Sequence, residues 1–206
     1  MMTLVNKGKS RAALYEFGNM MQHFAKELNN TYMINHGFTN PSIYDMNYDG
    51  EFLTSNEYIC YLQTPRVMRS IHVGDNPFQT GSQSYRHLED GILIDKMKML
   101  EAVLESGKIR VLLYTGNMDM MIHTLGMNRL VQDLNWENKK QFDSSGSKPL
   151  IFPTPNGRGT LAGYFGQGGG LTYLVVRGAG HMVPISQPEV ASRIMELFVR
   201  KGEWGC

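Results

Sequence analysis

Apolar residues recur at helical spacing along several stretches of this chain and run together in two others. Leu14, Phe17, Met21, Phe24 and Leu28 stand three or four apart, which predicts an amphipathic helix from about Ser10 to Leu28. Asn29, Asn30 and Gly37 break the pattern, and residues 37–50, rich in Asn, Asp, Gly, Tyr and Pro, read as loop. Thr64 as N-cap and Pro65 as first helical residue open a short helix that turns Val67, Met68 and Ile71 inward and stops at Gly74. Leu88, Ile92, Leu93, Met97, Leu100 and Leu104 describe one longer amphipathic helix, ended by Gly107 in the C′ position.

Val111-Leu-Leu-Tyr114 follows at once and ends at Gly116. A short continuous apolar run of this kind predicts a strand buried on both faces of a parallel sheet. Leu125, Leu130, Val131 and Leu134 give the next helix. Residues 137–159 are polar, with a turn cluster from Pro153 to Gly157, and read as a connection outside the core. Leu171-Thr-Tyr-Leu-Val-Val-Arg177 predicts a second strand, closed by Gly178-Ala-Gly180. In the last helix Ser186 and Glu189 match a capping box, Pro188 sits in the first turn, and Val190, Ile194, Leu197 and Phe198 share a face. Arg200 and Lys201 suit the negative end of its dipole, before Gly202. Strands alternating with helices make the C-terminal half α/β. Two strands alone are a poor sheet, so each is expected to leave apolar edges and faces for further polypeptide to cover.

Composition narrows the class. The 206 residues carry 20 Lys and Arg against 19 Asp and Glu, a formal net charge of +1, which argues against a nucleic-acid protein. No run of eighteen apolar residues exists and no apolar segment follows Lys7, Lys9 and Arg11, so neither a membrane span nor a signal peptide is expected. The 42% apolar content is enough for a sizeable core. Cys60 and Cys206 match no metal spacing, and the sequence leaves open whether they bridge. Asn29-Asn30-Thr31 is a glycosylation sequon if the chain is secreted.

In open α/β sheets functional side chains collect beyond the carboxyl ends of strands. Asp119 stands three residues past Gly116, and His181 directly follows Gly180. A carboxylate and an imidazole on adjacent loops are the orienter and general base of a hydrolase triad. A loop Asp is also an ordinary turn former and a loop His an ordinary satisfied polar group, and spacing leaves both readings open. Gly8-Lys9-Ser10 and Gly166-x-Gly168-Gly-Gly170 imitate nucleotide loops, but no strand precedes the first and the second precedes a strand.

The residues around that pair carry a resemblance. Arg110-Val-Leu-Leu-Tyr-Thr-Gly-Asn-Met-Asp119, Gly178-Ala-Gly-His-Met-Val-Pro184 and Gln187-Pro188 resemble the serine carboxypeptidase family, nearest its vitellogenic-like, cathepsin A-related branch. Ala162-Gly-Tyr-Phe-Gly-Gln167 and the segment from Leu62 to Gly74 are similar too. The resemblance implies Asp119 as triad acid, His181 as triad base and Met182 as a residue lining the pocket for the leaving amino acid. Thr115-Gly-Asn117 and Ser186 depart from the family pattern beside these positions.

The implied fold is an incomplete α/β-hydrolase, with residues 84–206 as the C-terminal part of its core and residues 1–83 as a helical and irregular, lid-like insertion. The family's nucleophile sits on a G-x-S-x-G elbow, and no such string occurs in these 206 residues; Gly8-Lys-Ser-Arg-Ala12 comes nearest, without a preceding strand. The expectation is the C-terminal portion of a serine carboxypeptidase that releases C-terminal amino acids from peptides, inactive alone. Its implied partners are a peptide substrate and the N-terminal half or a serine-bearing chain, with no cofactor, nucleic acid or membrane. A secreted, lysosomal or vacuolar location is implied with it. A catalytically dead relative serving as a binding or carrier module is the alternative.

Overall fold

The computed structural model describes residues 10–30, 42–48, 57–79, 81–153, 159–200 and 204. Readings that fall on Gly8, Thr31, Gly37, Gly157, Gly202 and Cys206 lie outside them. The chain gathers into two compact units, Met1–Phe24 with Glu51–Ile94, and Ala25–Gly50 with Asp95–Cys206.

The first helix, α1, runs over Ser10–Asn30 as its apolar spacing predicts. The described part of the first unit continues with α2 (Glu57–Leu62), α3 (Pro65–Ser70) and α4 (Ser82–Ile92). Pro65 does open α3, but the Thr64 hydroxyl donates to the Tyr61 carbonyl and makes no cap. Cys60 is exposed on α2. Among the described residues no helix is long and apolar enough to cross a membrane.

The single helix expected from Leu88 to Leu104 is two. Helix α4 ends at Ile92, and α5 (Met97–Glu105) starts after Asp95, whose Oδ1 accepts the Met97 N–H at 2.8 Å. An aspartate that satisfies a first-turn N–H restarts a helix, a local bond that apolar periodicity does not register. Gly107 does close α5, with φ of +63°.

The second unit then builds β1 (Val111–Gly116), α6 (Thr124–Asp133), α7 (Lys139–Ser145), β2 (Lys148–Pro153), β3 (Gly159–Gly168), β4 (Leu171–Val176), α8 (Val183–Ser186) and α9 (Pro188–Arg200). The sheet order is β1-β4-β3-β2, with β1 and β4 parallel and the β2–β3 and β3–β4 pairs antiparallel. Strand β4 is central and buried on both faces. Leu174 and Val176 pack with Leu150, Ala191 and Ile194 under α9, while Leu171 and Tyr173 pack with Leu104, Val131 and Leu134 under α5 and α6. Burial pushes the Tyr173 phenol up to about 12, and its hydroxyl donates to Asn128 Oδ1 at 2.7 Å.

Residues 137–159 are therefore not the surface connection their polarity suggests. They carry α7 and the edge strand β2, whose Leu150 is fully buried. Pro149 and Pro153 hide the strand from a pattern reading, yet an edge strand tolerates proline because one side of its backbone bonds no neighbour. Four glycines mask β3 in the same way. Gly169 and Gly170, both at positive φ, form the two-residue turn of the β3–β4 hairpin, so the glycine run is a turn and no nucleotide loop. Leu125, one of the apolar residues that mark α6, is 78% exposed.

Glu101 joins α5 to the chain beyond α6: Oε1 accepts the Asn135 N–H at 2.9 Å and Oε2 pairs with Lys98 Nζ at 2.7 Å. The Lys98 hydrogen bond, then the Asn135 N–H, hold its carboxyl below the ordinary 4.5. A lowered folded-state value contributes stability that is complete above the unfolded value and lost as pH falls through the folded one. The stability gap between the natural chain and Glu101→Gln should thus be full at neutral pH and close below about pH 4.5, followed by denaturant midpoints across pH. Leu150→Ala should cost about 2–5 kcal/mol by urea unfolding. Leu125→Ala should cost less than about 0.5 kcal/mol.

Candidate active site

Parallel pairing of β1 with β4 sets Gly116 opposite Val176, so the loops leaving both carboxyl ends start side by side. Asp119 lies on the first loop and His181 on the second. Their side chains meet, with His181 Nδ1 3.0 Å from Asp119 Oδ2. A carboxylate offers only acceptors, so the bond puts a proton on Nδ1 and leaves Nε2 as the basic nitrogen.

The two partners differ in surroundings. The Asp119 side chain is 4% exposed and that of His181 is 35% exposed. Asp119 Oδ1 accepts the N–H groups of Met121 at 2.7 Å and Ile122 at 3.0 Å, which turns Oδ2 toward the imidazole. Beyond it, Thr115 Oγ1 donates to the Ile122 carbonyl, and His123 Nδ1 accepts the Gly126 N–H to cap α6. A buried acid held by backbone and a half-open imidazole held by the acid can take a proton on Nε2 and return it.

A third segment, residues 42–48, which reads as loop from its composition, holds both loops. Met120 N–H donates to the Ile43 carbonyl at 3.1 Å and Met46 N–H to the Met118 carbonyl at 3.0 Å, fastening it to the Asp119 loop. His181 N–H donates to the Tyr44 carbonyl at 2.6 Å, and the Tyr44 ring lies 5.7 Å from the imidazole. The loops also meet directly, Met118 N–H donating to the Ala179 carbonyl at 2.8 Å. Gly178 is fixed at both ends, its N–H by Asn117 Oδ1 and its carbonyl by the amides of Asn47 and Gln187. The one local clue is Asp45-Met46-Asn47, an aspartate that bonds the N–H two residues on.

Two glycines make the approach possible. A Cβ on Gly116 would lie 2.1 Å from the Ala179 carbonyl oxygen, and one on Gly180 would lie 2.4 Å from Asp45 Cβ. Ser186, expected to cap the last helix, instead ends α8 and donates its hydroxyl to Asp45 Oδ2 at 2.6 Å. Met182 follows His181 at the start of α8, 39% exposed. Among the described residues no group of three or more His, Cys, Asp and Glu side chains could hold a metal.

The mixed sheet, with an acid and a base at the carboxyl ends of its parallel pair, is an α/β-hydrolase arrangement. The fold of the prohormone-processing carboxypeptidase from Saccharomyces cerevisiae is similar, with a TM-score of 0.54 over 77% of this chain and 36% of that one at 20% identity. The family model for serine carboxypeptidases matches residues 3–201. The probable serine carboxypeptidase CPVL of Dictyostelium discoideum is 30% identical over 76% of this chain and 30% of its own length. Serine carboxypeptidase 3 of Oryza sativa subsp. japonica is 35% identical over 67% of this chain and 27% of its own. This chain belongs to the serine carboxypeptidase family. It spans less than a third of the length of these two curated relatives.

Gly180→Ala should press the His181 loop off residues 44–45 and cost about 1–3 kcal/mol, read as a fall in thermal midpoint. Gly91→Ala, on α4 with nothing within 4 Å of its Cβ, is the control and should leave the midpoint level or slightly raised.

Proposed function

We propose that this chain supplies the acid and the base of a serine carboxypeptidase, as its C-terminal portion, and that the attacking serine comes from polypeptide outside these 206 residues. The observation that carries the reading is the 3.0 Å contact between Asp119 Oδ2 and His181 Nδ1, with Oδ1 pinned by two backbone donors. In the reaction the serine oxygen attacks the carbonyl carbon of the last peptide bond while His181 Nε2 takes its proton. Asp119 holds the imidazolium that results. His181 then passes that proton to the amine of the departing amino acid, and the C–N bond breaks. Water, deprotonated by the same nitrogen, cleaves the acyl-enzyme and restores the serine. Met182, beside His181, would line the pocket for the leaving residue. Residues 1–83 would form the lid-like insertion and residues 84–206 the end of the core. Among the described residues β1 pairs on one side only, with β4, which leaves its other edge for the serine-bearing polypeptide. The reading carries with it a secreted, lysosomal or vacuolar location.

A second reading draws on the absence of any G-x-S-x-G string from the sequence: a non-catalytic relative that binds or carries. Activity separates the two. The pure chain should release no C-terminal residue from a blocked dipeptide at acidic pH, since loss of the nucleophile costs about 10⁶-fold in kcat. Combined with the serine-bearing polypeptide it should turn over. In that assembly Asp119→Asn should lower kcat about 10⁴-fold. Turnover by the chain alone, or full activity of the Asp119→Asn assembly, would overturn the proposal, and an assembly without turnover would favour the binding module.

A further inference from the structure

The His181 loop is anchored by a contact that proton transfer itself does not use. Asp45 is 1% exposed, yet it carries a carboxylate. Its Oδ1 accepts the Asn47 N–H at 2.9 Å and its Oδ2 accepts the Ser186 hydroxyl at 2.6 Å. Ser186 Oγ in turn accepts the N–H of Gly180, the residue before His181, at 3.1 Å. With its single proton committed to Asp45, the hydroxyl turns a lone pair on Gly180, and the charge on Asp45 strengthens that second bond. The next N–H along, that of His181, donates to the Tyr44 carbonyl. Two successive peptide N–H groups of the loop are thus held by residues 44 and 45, one directly and one through Ser186.

We propose that Asp45 and Ser186 are a positioning pair for His181, setting the Gly180–His181 backbone at the height where Nδ1 meets Asp119. The catalytic consequence rests on the function proposed above; the positioning itself does not. Without the hydroxyl, Gly180 loses its acceptor and a buried carboxylate oxygen loses its donor. The loop is then free to settle elsewhere, and a misplacement of about 1 Å costs on the order of 10²-fold in rate.

The test follows the proton on His181 Nδ1 by NMR in the full chain labelled with ¹⁵N-histidine, its signal assigned by its loss in His181→Gln. The natural chain and Ser186→Thr, which keeps the hydroxyl, should both show it downfield. Ser186→Ala should move it upfield or lose it to solvent exchange, with the far-ultraviolet circular dichroism unchanged. In the serine-bearing assembly Ser186→Ala should lower kcat by on the order of 10²-fold and leave KM level. An unaltered proton signal and unaltered kcat in Ser186→Ala would overturn the positioning pair while leaving the Asp119–His181 reading intact. A signal absent from the natural chain would overturn that reading and the pair with it.

Discussion

Residues 42–48 bond to both of two loops that also meet directly, through the imidazole–carboxylate contact, the Met118 N–H on the Ala179 carbonyl and the Asn117 side chain on the Gly178 N–H. The Ile43 carbonyl and the Met46 N–H grip the Asp119 loop, and the Tyr44 carbonyl grips the backbone of His181. Each is a backbone hydrogen bond, worth about 0.5–1.5 kcal/mol net and directional. Their joint effect is geometric, because three short segments tied pairwise have less freedom than two loops tied only to each other. The register of β1 and β4 starts the loops together, and the third segment keeps them together at the depth of Asp119. Gly116 and Gly180 are the positions where any side chain would prevent that approach.

The elements that could be read in advance are those whose information is local. The helix at Ser10, the strands at Val111 and Leu171 and the turn at Gly107 follow from spacing and one punctuating residue each. Where the reading failed, a tertiary partner overrode local preference. Lys148–Pro153 looks like a linker because its prolines depress strand propensity, but β3 supplies the ladder and α9 the apolar cover for Leu150. Asp95 splits a helix whose apolar spacing runs straight through it. Ser186 matches a capping box, in which its oxygen would accept an N–H of the helix start, yet that oxygen accepts the Gly180 N–H while its proton goes to Asp45.

The same distinction governs the site. Asp119 and His181 were legible because each follows a strand and a small residue, and strand ends are where α/β sheets place chemistry. Asp45 was not legible. It sits 141 residues before Ser186, in a stretch with no regular period, and it is 1% exposed. A carboxylate in a loop normally implies solvent. Here the loop is itself covered, and the carboxylate is retained because hydroxyl and amide donors take the place of water.

Asp119 and His181 are held in different ways. Asp119 Oδ1 accepts from Met121 and Ile122, within its own loop, so the loop backbone itself orients the carboxylate. Among the described residues the His181 side chain bonds that carboxylate, and it is 35% exposed. Asp119 thus holds the imidazole through Nδ1, while Tyr44 and Ser186 hold the backbone N–H groups of His181 and Gly180.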